Sequence, residues 1–152
     1  MEIDQQDIRL ALRGFLELLE SADQQAKIET LELWLGQLAF LQHFIENIPP
    51  DDKLPTLPAR DTAYWAKLIA THFPTLGNYN ITVSAETDAF DLSTGNAVDD
   101  LAEIAAEISE CIQRWESYGE NHALWYFRVG YQTHWEKRLR NLQHYLHNRP
   151  LG

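Results

Sequence analysis

Cysteine is almost absent from this chain: Cys111 stands alone among 152 residues, so no internal disulfide and no cysteine pair for a metal can form. Positive charge is also scarce, with 12 Lys and Arg against 23 Asp and Glu and a formal net charge of −11. Phosphate contacts need clustered cations, so this balance argues against a nucleic-acid binder and against docking on an anionic membrane surface. No stretch reaches the roughly 18 uninterrupted apolar residues of a membrane span. The opening MEIDQQDIRLALRGF lacks a basic start followed by an apolar run, so no secretory signal is expected and a cytoplasmic location is.

Catalytic signatures are missing as well. The seven glycines are too scattered to cradle a phosphate, and HExxH and GxSxG do not occur. None of the six histidines has a Glu three residues before it, as a di-iron carboxylate bundle requires. No catalytic residue, cofactor or metal site is expected on these grounds.

What is present is the composition of a globular domain, 45% hydrophobic and 23% charged. A single domain spanning 1–152 would bury roughly 70% of the surface its unfolded chain exposes, enough to stand without a staple. Ile8, Ala11, Leu12, Phe15, Leu18, Leu19 and Ala22 recur at helical spacing over 3–22. Residues 26–48 are apolar nearly all round. Leu31, Trp34, Leu35, Leu38, Leu41 and Ile45 fall on one side, and Leu33, Phe40 and Phe44 on the other, which predicts a central helix covered on several sides. The two helices should form an antiparallel hairpin.

PPDDKLPTLPARD, with four prolines, ends that hairpin. A third helix over AYWAKLIATHF follows, capped by Asp61 or Thr62. Residues 75–95 show no clear period, although YNITVS suits a short extended piece. Asn96 caps a fourth helix whose buried face is Val98, Leu101, Ala105, Ile108, Ile112 and Trp115, with Asp99, Glu103, Glu107 and Glu110 on the solvated side. Cys111, beside that stripe, suits the role of a small apolar residue. Gly119 stops the fourth helix, and a fifth runs from about Asn121 to Asn148. The predicted fold is an all-α bundle of about five helices: two antiparallel hairpins, a middle helix, and an irregular insert before helix four.

The last helix holds the residues of most interest. At about 100° per residue, Leu124, Tyr131, Trp135, Leu139, Leu142 and Leu146 form its core face. Lys137, Arg140, His144 and His147 fall opposite, a cationic row suited to an acidic partner protein or to self-association. His144 and His147 have chelating spacing, but a solvated face near the helix C-terminus is the simpler reading. His134 lies on the border and suits an interhelical hydrogen bond. Trp125 sits about 80° off the stripe, a position for partial exposure.

Arg128 falls within the apolar stripe. A guanidinium there keeps its charge and needs acceptors, either a carboxylate (Asp61, Asp88, Asp91 or Asp100) or carbonyls from another element. Alternatively its stem lies along the core with its head in water. A functional reading makes a small-molecule or anion pocket from Arg128, Tyr131 and His134, joined by Tyr79, Asp100 and Trp125.

FPTLGNY, DDLAEIAAEI and ALWYFRVGYQTHWEKRLRNLQHYLH resemble, in order and spacing, the bacterial domain-of-unknown-function family numbered five thousand and sixty-three. The resemblance covers about residues 60 to 147 and rests on Phe73, Pro74, Leu76, Gly77, Tyr79, Asp99, Asp100, Leu101, Trp125, Arg128, His134, Trp135, Leu146 and His147. Where the family pattern after HW often reads G-x-H, this chain has Glu136, Lys137 and Arg138, which removes a second histidine and weakens a metal site. The resemblance implies a small helical cytoplasmic protein with no assigned activity, and treats Asp100, Arg128 and His134 as one polar group. The leading expectation is therefore a non-enzymatic interaction or regulatory module.

Overall fold

The computed structural model describes residues 3–21, 28–45, 61–83 and 91–148, with backbone alone for 80–83 and 91–94. Among these residues the architecture is all-α, with one small sheet. Helix α1 spans Gln5–Glu20 and α2 spans Ile28–Leu41, with a 3₁₀ turn at Gln42–Phe44. Helix α3 covers Thr62–His72. Strands β1 (Asn78–Val83) and β2 (Asp91–Asn96) lead into α4, Ala97–Tyr118. The last helix comprises α5 (Glu120–Gly130), a π turn (Tyr131–Trp135) and α6 (Glu136–His147).

Local chemistry sets the helix ends. Asp4 and Asp7 close a reciprocal capping box on α1: Asp7 N–H donates to Asp4 Oδ1 at 2.9 Å and Asp4 N–H to Asp7 Oδ2 at 3.0 Å. Asp61 caps α3 by accepting from Tyr64 N–H at 3.0 Å. Asn96 caps α4 by accepting from Asp99 N–H at 3.0 Å. Gly119 ends α4 at φ +93°, a conformation that side chains with a Cβ rarely adopt. The tight turn then folds α5 back against α4.

Residues 78–83 and 91–96 are not irregular. They pair as an antiparallel ribbon, with Asn78 opposite Asn96 and Val83 opposite Asp91. Gly77 C=O accepts from Ala97 N–H at 3.0 Å, so the ribbon's base is tied to the start of α4. The proline-rich crossing, the polar break after α1, Ala22 and Asp88 lie outside the described residues, as does the side chain of Asp91.

Two expectations about layering are reversed. Helix α2 is not central: it packs on α1 and α6 with Leu31, Leu35, Leu38 and Ala39 inward, while Leu33, Phe40 and Phe44 face outward. Helix α4 occupies the centre, touching α1, α3, α5, α6 and β2. Ala102, Ala105 and Ala106 are all buried, and such small residues let neighbours approach from several directions. The expected apolar face of α4 is inward, and Cys111 is buried beside it. Glu107, expected on the solvated side, is also buried, because the returning α5 covers it.

The core face read from the last helix is buried throughout: Leu124, Tyr131, Trp135, Leu139, Leu142 and Leu146. The helix does not wind uniformly, however. Glu136 N–H donates to Tyr131 C=O, a five-residue step that defines the π turn. The wider turn holds Tyr131 edge-on to Trp135, with ring centroids 4.9 Å apart. Among the described residues, no helix is long and apolar enough to cross a membrane.

Candidate functional site

Polar groups gather along the seam where α4 meets the last helix, in three stretches. At the ribbon end, Asp100 is buried and accepts two hydrogen bonds. Arg138 Nη1 donates to its Oδ1 at 2.7 Å, and the Tyr79 hydroxyl donates to its Oδ2. Tyr79 stacks on Tyr145 at 5.3 Å, and the Tyr145 hydroxyl accepts from Gly77 N–H at 3.0 Å. Burial pushes the Tyr79 phenol well above its ordinary range; the bond to Asp100 and that carboxylate's charge add to the rise, and Arg138 opposes it.

Beside the π turn lies a cleft of about 300 Å³, lined by Glu103 and Glu107 from α4 and by Thr133, His134, Trp135 and Arg138. Glu107 is only 2% exposed. Its Oε1 is 3.4 Å from His134 Nδ1, and its Oε2 accepts from the Tyr126 hydroxyl at 3.3 Å. The His134 side chain is 60% exposed, so it forms the rim and Glu107 the depth. Trp135 walls the cleft, and its indole N–H has no acceptor among the described residues.

Further along, Arg114 is buried. Its Nη2 donates to Glu110 Oε1 at 3.1 Å, and its guanidinium lies 4.3 Å from the centre of the Tyr126 ring. The single Tyr126 hydroxyl proton is shared between Glu110, the shorter contact, and Glu107. Each charge on this stretch therefore has a partner, as burial demands.

Arg128 stands apart. Its Nη1 donates to the Ile45 backbone carbonyl, which joins α5 to the 3₁₀ turn after α2, and it has no carboxylate partner among the described residues. Asp100, a candidate partner, is taken by Arg138 and Tyr79. Arg128 is half-buried, and neither it nor Tyr131 lines the cleft that holds His134. Tyr131 is buried against Trp135, and burial raises its phenol pKa, Arg140 working against the rise. Trp125 is half-buried, with its indole N–H unpartnered among the described residues. The six expected ligand residues thus fall into separate surroundings: Tyr79 with Asp100, His134 with Glu107, Arg128 with Ile45, Tyr131 with Trp135, and Trp125 in none of these pairs.

The second feature is a face shared by α2 and α6. Leu33, Phe40 and Phe44 recur at spacings of seven and four and are 75%, 52% and 42% exposed. Phe40 and Phe44 meet edge to face at 4.9 Å. Gly36 lies between Leu33 and Phe40 on the helix surface, and a Cβ there would meet Gln143 Nε2 of α6 at 3.9 Å. Gln143 Oε1 in turn accepts from Arg140 at 3.1 Å. The apolar line therefore runs beside the row of Lys137, Arg140, His144 and His147, all four exposed. A groove of about 290 Å³ on the outer side of the π turn opens between Lys137, Arg140, His134 and Glu136.

Glu107, Arg114 and Arg138 escaped the sequence reading. Helical spacing puts Glu107 on the side of α4 opposite its apolar stripe, and only the packing of α5 on that side buries it. Arg138 lies one turn past His134, and its pairing with Asp100 is not visible in the periodicity of either helix alone. Among the described residues, no group of three or more His, Cys, Asp or Glu side chains is placed to hold a metal ion.

A family model described as a domain of unknown function, DUF5063, matches residues 4–149. No curated protein and no solved structure matches the chain.

Proposed function

This chain belongs to the DUF5063 family, a domain of unknown function, and from that starting point we propose that it is a docking module for an acidic, amphipathic helix of a partner protein. The observation that carries this reading is the exposed line of Leu33, Phe40 and Phe44. Large apolar side chains aligned on one helix are unusual on a surface unless something covers them. A helix laid in the adjoining groove would bury them with its own residues at i, i+3, i+4 and i+7.

Charge selects the occupant. The protein carries a formal charge of −11, yet this face bears Lys137, Arg140, His144 and His147. A second copy of an acidic chain would be repelled overall, whereas a segment carrying carboxylates at the rim would be steered to the cationic row. The surface is a binding surface in this reading, and no bond is made or broken on it.

A labelled synthetic helix with Leu and Phe on one face and Glu on the other provides the probe. Fluorescence anisotropy should show saturable binding that weakens with salt and fails for a Lys-for-Glu version of the peptide. Leu33→Glu with Phe40→Glu should abolish it. Equal binding of both peptides, or retention in the double variant, would contradict the proposal. Concentration-dependent sedimentation as a dimer, lost in the double variant, would also contradict it by assigning the face to a second copy.

A further inference from the structure

Among the described residues, Gly14, Gly36 and Gly130 lie within helices, where glycine costs stability relative to alanine. Two of them have their reason inside the protein. A Cβ at Gly14 would come within 2.5 Å of the Trp34 ring, and one at Gly130 within 3.2 Å of Glu107 Oε2. Gly36 has no such neighbour: among the described residues its Cβ would meet only Gln143 Nε2, at 3.9 Å, an ordinary contact. A position that gives up helix propensity with no contact in return is where a contact from outside is expected. We infer, resting on the docking reading above, that Gly36 is the seat for one large apolar side chain of the partner helix, and that the partner carries a carboxylate one turn from that anchor.

The neighbours of Gly36 define the seat. Leu33 and Phe40 stand three positions before it and four after, so both are its direct neighbours on the surface of α2. Both are exposed, at 75% and 52%. The missing side chain leaves a gap between two large apolar ones, and glycine lets a partner's backbone approach closely there. A bulky aliphatic side chain set in that gap would be covered from both sides, as an anchor residue requires.

Gln143 ties the seat to a cation. Its Nε2 faces Gly36, and its Oε1 accepts from Arg140 Nη1 at 3.1 Å. Arg140 is exposed, and a guanidinium has five N–H groups, more than this one bond uses. Gln132 Nε2 donates to Gln42 Oε1 at 3.4 Å, so the last helix runs antiparallel to α2. Going from Gly36 toward Phe40 on α2 is therefore going from Gln143 toward Arg140 on α6. A carboxylate one helical turn from the anchor reaches that guanidinium.

Fluorescence anisotropy with the labelled acidic helix tests this, one central Leu of the peptide serving as the anchor. Gly36→Leu fills the seat with a good helix former, so it should melt no lower than the wild type yet bind about ten-fold or more weakly. Trimming the peptide's anchor Leu to Ala should cost the wild type about ten-fold and cost Gly36→Leu little. Changing to Gln the peptide's Glu residues one turn either side of the anchor should weaken binding to the wild type and leave Arg140→Gln unaffected. If Gly36→Leu does not fold, Gly36→Ala is read instead, and about three-fold weakening is expected despite its better helix propensity. Unchanged or tighter binding by the folded Gly36 variant, anchor trimming that costs both proteins equally, or an equal Glu-to-Gln loss in Arg140→Gln overturns the inference while the docking surface stands. Failure of the peptide to bind the wild type overturns both.

Discussion

Arg138 Nη1 donates to Asp100 Oδ1 across 2.7 Å, joining the last helix to the central one at the same carboxylate that the Tyr79 hydroxyl uses. Asp100 is buried, whereas the Arg138 side chain is 45% exposed. The two ends of the pair should therefore respond unequally. Asp100→Ala leaves a tyrosine and a guanidinium without their acceptor and should cost about 2–3 kcal/mol in urea denaturation. Arg138→Met removes a partly hydrated cation but leaves the buried Asp100 carboxylate with Tyr79 alone, and should cost about 1–2 kcal/mol, less than Asp100→Ala.

Tyr79 makes the same cluster sensitive to alkali. Its phenol pKa is raised in the folded state, chiefly by burial and then by Asp100. The folded form thus holds this proton more tightly than the unfolded chain does. That contribution is fully present below about pH 10, the ordinary phenol value, and falls as pH rises from there toward the folded pKa. Urea midpoints compared at about pH 9 and about pH 11 should drop more steeply in the wild type than in Tyr79→Phe.

Glycine substitutions should separate a crowded position from an open one. Among the described residues, alanine at Gly36 meets only Gln143 Nε2, at 3.9 Å, so it should stabilise by about 0.5–1 kcal/mol through helix propensity. At Gly130 the neighbours are Glu107 and Trp135, both buried and unable to withdraw easily. There the strain of overpacking, about 1–3 kcal/mol, exceeds the propensity gain, and Gly130→Ala should lower the melting temperature.

Much of this was legible in the residues, for identifiable reasons. Leu139, Leu142 and Leu146 repeat at a spacing that only a helix brings to one face, and they are buried together. The caps at Asp61 and Asn96 were readable because a side chain three residues before a backbone N–H is a local matter. What periodicity cannot report is which helix lies in the middle. Leu33 and Phe40 look like core residues from hydrophobicity alone, yet among the described residues α2 packs mainly on α1 and α6, and both side chains face away from them. Conversely, Glu107 looks like a surface residue until α5 folds over it.

The site was less legible than the fold. His134 was placed on the border of the last helix, where it lies, but its neighbour Glu107 belongs to another helix. A uniform rotation sets Arg128 among apolar residues, which makes it the cation that draws the eye. Its Nη1 donates to the Ile45 carbonyl, one of the two acceptor types expected for it, and the Asp100 carboxylate goes to Arg138. The π turn between Tyr131 and Trp135 changes the winding that this reading assumed to be constant.

Because Leu33 and Phe40 are exposed, replacing them should leave the fold intact. Leu33→Ser with Phe40→Ser should change unfolding free energy by no more than about 0.5 kcal/mol. A larger loss would mean that these side chains are held by the protein itself.

The docking surface is tested most directly by hydrogen–deuterium exchange with and without the acidic amphipathic peptide. Saturating peptide should slow exchange in α2 from Ile28 to Leu41 and in α6 from Glu136 to His147, and leave α1 and α3 unchanged. Protection that falls instead on α1 or α3, or no protection on α2 at saturation, would contradict the account.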